Sequence, residues 1–219
     1  SFRVSDVFGK QSAKYQYLEK ESISTVPWRE IVPRKDFYTF REQDSTLFEE
    51  YNRFIKITDV FRLYNAGLYT GRDGLTIHDS QVKTWQIVRK FSGMETEVAR
   101  EVFNLGDDSR DWKVIFAQND LKNTGPTKEN ITKILYRPFD TKYTYYSGNS
   151  RGFICMPRRE IMSHLLKDNL GFIFQRREER DTDYAHFFVS DCIVEHCAIS
   201  INTCAVAPLY LYSGSDQLF

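Results

Sequence analysis

Much that would announce a chemistry is missing from this sequence. Its 219 residues carry 30 Lys and Arg against 30 Asp and Glu. A chain with no net charge does not bind polyanions over its whole surface, although a local patch stays open. Cysteine is scarce: residues 155, 192, 197 and 204, with no CxxC pair. That excludes a disulfide framework and a four-cysteine zinc site. His196 beside Cys197, with Cys192 near, has no second ligand pair at zinc spacing. No apolar run approaches the ~20 residues a membrane span needs, no segment is low in complexity, and nothing repeats. The opening SFRVSD is neither a signal nor a transit peptide, and a start without Met is expected of a piece of a longer chain. These absences lead to the expectation of a reduced, cytoplasmic protein with no membrane contact.

What is present points to a packed core. Hydrophobic residues make up 41% and aromatics 15%, and the 27% that are charged form no long run of one sign, which is not the composition of a disordered chain. Phe2 to Phe8 reads as a strand and Lys14 to Lys20 as one or two helical turns. "TVPWREIVPRKDFYTF" is broken by Pro27 and Pro33 and is expected to be extended, packing through Trp28, Ile31, Phe37 and Phe40. Asp44 is placed to cap a helix carrying Leu47, Phe48, Tyr51, Phe54 and Ile55. The three glycines of residues 66–77 predict a turn between short strands, and helical spacing follows over 81–91, 95–104 and 110–122.

After Asn130 the pattern shortens to "ITKILYRPF", "KYTYYS", "RGFICM", "LGFIFQR", "AHFFVS" and "VAPLYLY", β-branched or aromatic runs separated by turns. One helix interrupts them. Pro157 stands in its first turn, Ile161, Met162, Leu165 and Leu166 form its apolar stripe, and Asn169 or Gly171 ends it. The expected fold class is α+β, with a mixed or antiparallel sheet in the C-terminal half and a mostly helical middle third. The expected organisation is a single domain over 1–219, with a soft boundary near 125–130 at "NTGPTKEN".

Three chemistries can be read from the residues. Asp140-Thr-Lys142 is the D-x-K half of a Mg²⁺-dependent nuclease site, which needs an upstream acid such as Asp111 or Asp120. Equally, Asp140 fits a turn acid paired with Arg137. "YTGRDG" is not a nucleotide-binding P-loop, but Thr70, Gly71 and Arg72 in a tight turn suit one backbone phosphate; the plain alternative is a β-turn with Asp73 and Gly74 at its corner. The third is a basic patch. Residues 133–180 hold ten basic and five acidic residues. Seven of the ten are Arg, whose planar fork suits phosphate and guanine. Arg137, Lys142, Arg151, Arg158, Arg159, Arg176, Arg177 and Arg180 fall at strand ends, in loops or at a helix start, where side chains reach a groove while the sheet stays rigid. Tyr143, Tyr145 and Tyr146 suit a core or sheet face better than a stacking platform. No Ser-His constellation, G-x-S-x-G or N-P-P-[YF] motif occurs.

Six blocks stand in order: "GKQSAKYQYL" (9–18), "GLYTGRDGLTI" (67–77), "DWKV" (111–114), "YRPFDTKYTYY" (136–146), "NLGFIFQR" (169–176) and "PLYLY" (208–212). In this the chain resembles the C-terminal specificity domain of type ISP restriction–modification enzymes and their type IIG-like relatives. The resemblance implies a module that recognises a short sequence in double-stranded DNA and positions it for an N6-adenine methyltransferase domain elsewhere in the same polypeptide, which flips out the target adenine. It implies no catalysis and no cofactor in this chain, with S-adenosylmethionine and Mg²⁺ needed by the parent enzyme, and a bacterial or archaeal source. It also weakens the nuclease reading, because "RPFD" belongs to the specificity region. It assigns no base-contacting residue.

Overall fold

The computed structural model describes residues 2–32, 45–175, 187–199, 204–213 and 216–218. The chain forms two compact units, residues 1–56 and 57–219. In the first, β1 (Phe2–Val4) pairs antiparallel with β2 (Arg29–Ile31), with α1 (Gln11–Lys20) between them in sequence and α2 (Ser45–Tyr51) after them. An Asp6–Arg29 ion pair of 2.5 Å and the Trp28 indole N–H donating to the Ile23 carbonyl at 2.7 Å hold the approach to β2. The strand expected to reach Phe8 stops at Val4 because β2 offers only three partners. α1 starts at Gln11, ahead of the expected turn, and buries none of its residues. The cap expected at Asp44 and the packing of Phe37 and Phe40 lie outside the described residues.

The second unit opens with α3 (Ile57–Val60), β3 (Asn65–Ala66) and α4 (Asp73–Thr76), followed by three helices, α5 (Gln81–Gly93), α6 (Thr96–Val102) and α7 (Val114–Thr124). Ser80 caps α5 by accepting from the Lys83 N–H, and Thr84, Val88 and Phe91 form its buried stripe. Glu95 caps α6 in the same way through the Val98 N–H. α7 buries Val114, Ala117, Gln118 and Leu121, one face at helical spacing, and ends where Gly125 adopts φ +66°. The buried Gln118 is fully engaged: its amide donates to the Phe91 and Met94 carbonyls at 3.0 Å, and its oxygen accepts from Thr96.

Strands dominate the remainder: β4 (Ile131–Arg137), β5 (Asp140–Tyr145), β6 (Gly171–Gln175), β7 (Phe187–Ser190), β8 (Ile193–Val194), β9 (Cys204–Pro208), β10 (Leu211–Ser213) and β11 (Asp216–Leu218), with α8 (Arg159–Leu165) between β5 and β6. One sheet is mixed, in the order β5-β4-β8, with β8 parallel to β4. The other is antiparallel, in the order β3-β9-β6-β7. β10 and β11 form a separate antiparallel pair. The fold is α+β, and the segment 125–130 lies inside the second unit, between α7 and β4.

Two buried clusters fill this unit. One joins both sheets to α8 through Leu68, Ile134, Ile161, Met162, Ile173, Ile193 and Val206. The other joins α5–α7 to β5 through Val88, Phe91, Trp112, Leu121, Tyr145 and Phe153. Residues 65–69 stitch the two sheets together. Ala66 sits opposite Ala205 on β9, while the Leu68 N–H donates to the Val194 carbonyl at 2.8 Å and its carbonyl accepts from the His196 N–H at 2.8 Å. Gly67 stands at the crossing, where an added Cβ would lie 2.7 Å from the Glu195 carbonyl oxygen. Only glycine permits that approach.

Three expectations need correction. The 66–77 segment supplies one short strand, not two, because the Arg72 carbonyl accepts from the Leu75 and Thr76 N–H groups and winds α4. "RGFICM" is not a strand. The Asp120 carboxylate captures the Phe153 N–H at 2.8 Å and the Arg151 N–H turns back to the Cys155 carbonyl, so only Met156 joins a bridge, to Tyr69. Pro157 precedes α8 instead of lying in its first turn, and Leu166 is exposed past its end.

Candidate nucleic-acid interface

Five of the six blocks that carry the resemblance lie inside the second unit, where they are tied together in two groups. Asp73 accepts from the Thr70 hydroxyl and, at 3.1 Å, from the Tyr136 phenol, tying "TGRDG" to "YRPFD". Burial and the neighbouring Asp73 carboxylate push the Tyr136 phenol above its ordinary pKa. Arg72 donates to the carbonyls of Leu105 (3.0 Å), Gly71 (2.9 Å) and Asp107 (2.9 Å), and its guanidinium lies 5.1 Å from the Trp112 ring centre, tying the same turn to "DWKV". Gly71, at φ +82°, packs against Trp112 and Cys155. At the other end, the buried Asn169 donates to the Tyr210 carbonyl at 2.7 Å and accepts from the Tyr210 N–H at 3.0 Å, tying "NLGFIF" to "PLYLY".

This assignment changes the reading of several candidate DNA contacts. Thr70 is fully buried, with its hydroxyl on Asp73, and Arg72 is a clamp on backbone carbonyls. The Thr70 hydroxyl and the Arg72 guanidinium are thus both engaged within the chain. Arg137 donates to Glu195 at 2.8 Å and lies 3.9 Å from the Tyr136 ring centre. Glu195 is 2% exposed, so the pair neutralises a buried carboxylate. Lys142 reaches Asp79 at 2.6 Å and Asp140 at 3.8 Å. The hydrogen bond to Asp79 raises the Lys142 ammonium pKa and lowers that of the Asp79 carboxyl. Arg176, Arg177 and Arg180 lie outside the described residues.

Three candidates do converge. Arg151, Arg158 and Arg159 line one open cleft of 240 Å³ with Ser150, Asp111 and Glu160. Its floor is the loop that ends β5, and Asp120 pins that loop from below. The Asp120 carboxylate accepts from the Ser147 hydroxyl (2.7 Å), the Asn149 amide (2.7 Å) and the Phe153 N–H (2.8 Å). A Cβ at Gly152 would collide with that carboxylate. Arg151 and Arg158 hold left-handed backbone at φ +56° and +51°, a conformation costing roughly 1–3 kcal/mol for a non-glycine residue and concentrated at binding sites. The Arg158 Nε is buried with no hydrogen-bond partner. The sequence pointed to the three arginines. It gave no sign of Ser150, or of Asp120 and Glu195 as the buried acids that organise the region.

Among the described residues, the acids nominated for a metal-dependent nuclease are engaged with other partners. Asp140 faces Lys142, Asp120 is filled by three donors, and Asp111 is bound by Arg110 at 2.9 Å, which lowers its carboxyl pKa. Among the described residues, the ligand atoms that do gather in a group of three are those of Glu195, His196 and Cys197. There the Glu195 carboxylate already takes Arg137 and, at 2.8 Å, the Cys197 N–H. No described helix is long and apolar enough to cross a membrane.

The second unit is thus an α+β fold of two sheets with a helical side cluster and an arginine cleft, and comparison makes the class specific. Residues 59–219 match the Type ISP C-terminal specificity domain, and the chain belongs to that family. Three solved structures share the fold. The DrdV–DNA complex aligns with a TM-score of 0.58 at 18% identity, covering 94% of this chain and 22% of that one. A nuclease-deletion mutant of the Type ISP restriction–modification enzyme LlaGI, in complex with a DNA substrate mimic, aligns at 0.57 and 18%, covering 95% and 21%. The ATP-dependent Type ISP enzyme LlaBIII bound to DNA aligns at 0.52 and 17%, covering 86% and 13%. The chain thus spans about a fifth or less of the length of these structures. No curated protein matches the sequence.

Proposed function

We propose that this chain is the DNA target-recognition module of a restriction–modification enzyme. In this reading it selects a short sequence in double-stranded DNA and positions the duplex for an N6-adenine methyltransferase domain of the same polypeptide. It has no catalytic activity of its own and works in the cytoplasm of a bacterial or archaeal cell. S-adenosylmethionine and Mg²⁺ belong to parts of the parent enzyme outside this chain. The observation that carries the reading is the specificity-domain match over residues 59–219. The arginine cleft supports it, since guanidinium groups on a rigid loop are the means by which proteins grip nucleic acid.

The experiment is selection from a pool of duplexes with a randomised segment, using the full-length protein. Enrichment of one short sequence is expected, with affinity falling steeply as salt rises. A pool that stays random after repeated rounds would remove the reading. Incubating the protein with plasmid and Mg²⁺ separates the nuclease alternative, for which cleavage would have to vanish in Asp140→Ala.

A further inference from the structure

The cleft invites a narrower assignment than DNA contact in general. Its hydrogen-bonding inventory is one-sided. Of its two acids, Asp111 is held by Arg110 at 2.9 Å, with Arg151 at 3.8 Å, and Glu160 accepts from the Asn65 amide at 2.6 Å. What remains is mainly donors: the guanidinium groups of Arg151, Arg158 and Arg159, of which Arg158 also reaches Met156 Sδ at 3.7 Å, with the Ser150 hydroxyl beside them. Three guanidinium groups against two carboxylates leave the cleft at a formal +1, which one monoanion neutralises. A phosphodiester carries one negative charge and offers only acceptors.

We infer that the Arg151–Arg158–Arg159 cleft is a socket for a single phosphodiester of the DNA backbone, fixing where the duplex sits without reading its bases. The assignment rests on the DNA-recognition reading above. Preorganisation completes the argument. Asp120 fixes the loop beneath, and the left-handed backbone at Arg151 and Arg158 is already in place before any ligand arrives, so binding orders little further chain.

A guanine edge also presents two acceptors, so the test must separate phosphate from base. The full-length protein is titrated with the duplex pool at several salt concentrations, and its preferred sequence is selected in parallel, for Arg158→Gln, Arg159→Gln and the double variant. Each single variant is expected to weaken binding about tenfold, by loss of a charge-assisted hydrogen bond. The slope of log K against log salt is expected to shrink by no more than about 0.9, the value of one phosphate, even in the double variant, because both side chains serve the same phosphate. Arg158→Lys keeps the slope while weakening binding. The selected sequence is unchanged throughout.

A shifted base preference would make the cleft a base reader, and slope losses that add would make it a set of separate contacts. An unaltered slope would take the cleft off the DNA. Any of the three overturns the socket while leaving DNA recognition standing. A wild-type protein that selects nothing overturns the broader reading instead. Arg159 lies at the exposed start of α8, so Arg159→Gln decides the matter even if Arg158→Gln does not fold.

Discussion

Residues 70–74 and 147–159 look alike in sequence. Each combines glycine, a hydroxyl residue and arginine in a tight segment, and each suits a phosphate. The structure gives them opposite jobs. In "TGRDG" the arginine faces three carbonyls and the Trp112 ring, and the hydroxyl faces Asp73. In the 147–159 segment the acid underneath is Asp120, and it collects Ser147, Asn149 and the Phe153 N–H. The loop is thereby fixed without using its arginines, which stay at the cleft. The lesson is that an arginine's availability depends on whether some other group has already satisfied the backbone around it.

That contrast can be broken most severely at Trp112, which is 1% exposed and forms the platform for both Arg72 and Gly71. Trp112→Ala should cost about 3–5 kcal/mol, seen as a lower urea midpoint. A variant as stable as the parent would mean that the clamp is not the joint described here. Arg137→Ala comes next. It leaves the buried Glu195 carboxylate without its guanidinium partner, at a cost of about 3 kcal/mol, and Arg137→Met with Glu195→Gln should recover most of that loss. If Arg137→Ala instead leaves stability untouched and weakens DNA binding alone, Arg137 belongs with the cleft.

Arg72→Ala should cost about 2 kcal/mol through orphaned carbonyls, with the salt slope of DNA binding unaltered. Arg159→Gln should do the reverse, staying within about 0.5 kcal/mol of the parent in stability. Together these two variants test the contrast between the segments directly. The smallest effect is in pH. Burial lowers the pKa of His78, whose ring nitrogen meets the Leu75 carbonyl at 2.9 Å, and burial with Lys167 lowers that of His164. The unfolded chain therefore takes up protons first. Stability is complete above the unfolded value of about 6.5 and is lost as pH falls towards the folded values. The melting temperature should decline over that window, and His78→Asn with His164→Asn should flatten the decline.

The sequence made several features legible for local reasons. The presence of α5, α6 and α7, the strand character of β4 and β5 and the alternation of β6 follow from periods of 3.6 and 2 in short windows, whereas the buried faces of α5 and α7 were not read correctly, since Val82, Ile115 and Phe116 are exposed. β8 was not legible, because two residues carry no period. Nor was the loop at 151–156, whose apolar run reads as a strand until Asp120, distant in sequence, removes its N–H from any ladder. In the candidate site, Arg151, Arg158 and Arg159 could be named from residue type and position, whereas Thr70, Arg72 and Arg137 could not be told from them. Asp73 stands beside Thr70 in sequence, but Leu105, Asp107 and Glu195 become neighbours of Arg72 and Arg137 only on folding.

The order of six motif blocks and the hydrophobic periods, read alone, determined the fold class and the family resemblance, because both are written in residues near one another along the chain. Which arginines are free was decided by tertiary structure. A guanidinium is held by whichever carboxylates, carbonyls and rings the fold brings within a few ångströms, and beyond their immediate neighbours Arg72 and Arg137 find these partners from 33 to 58 residues away.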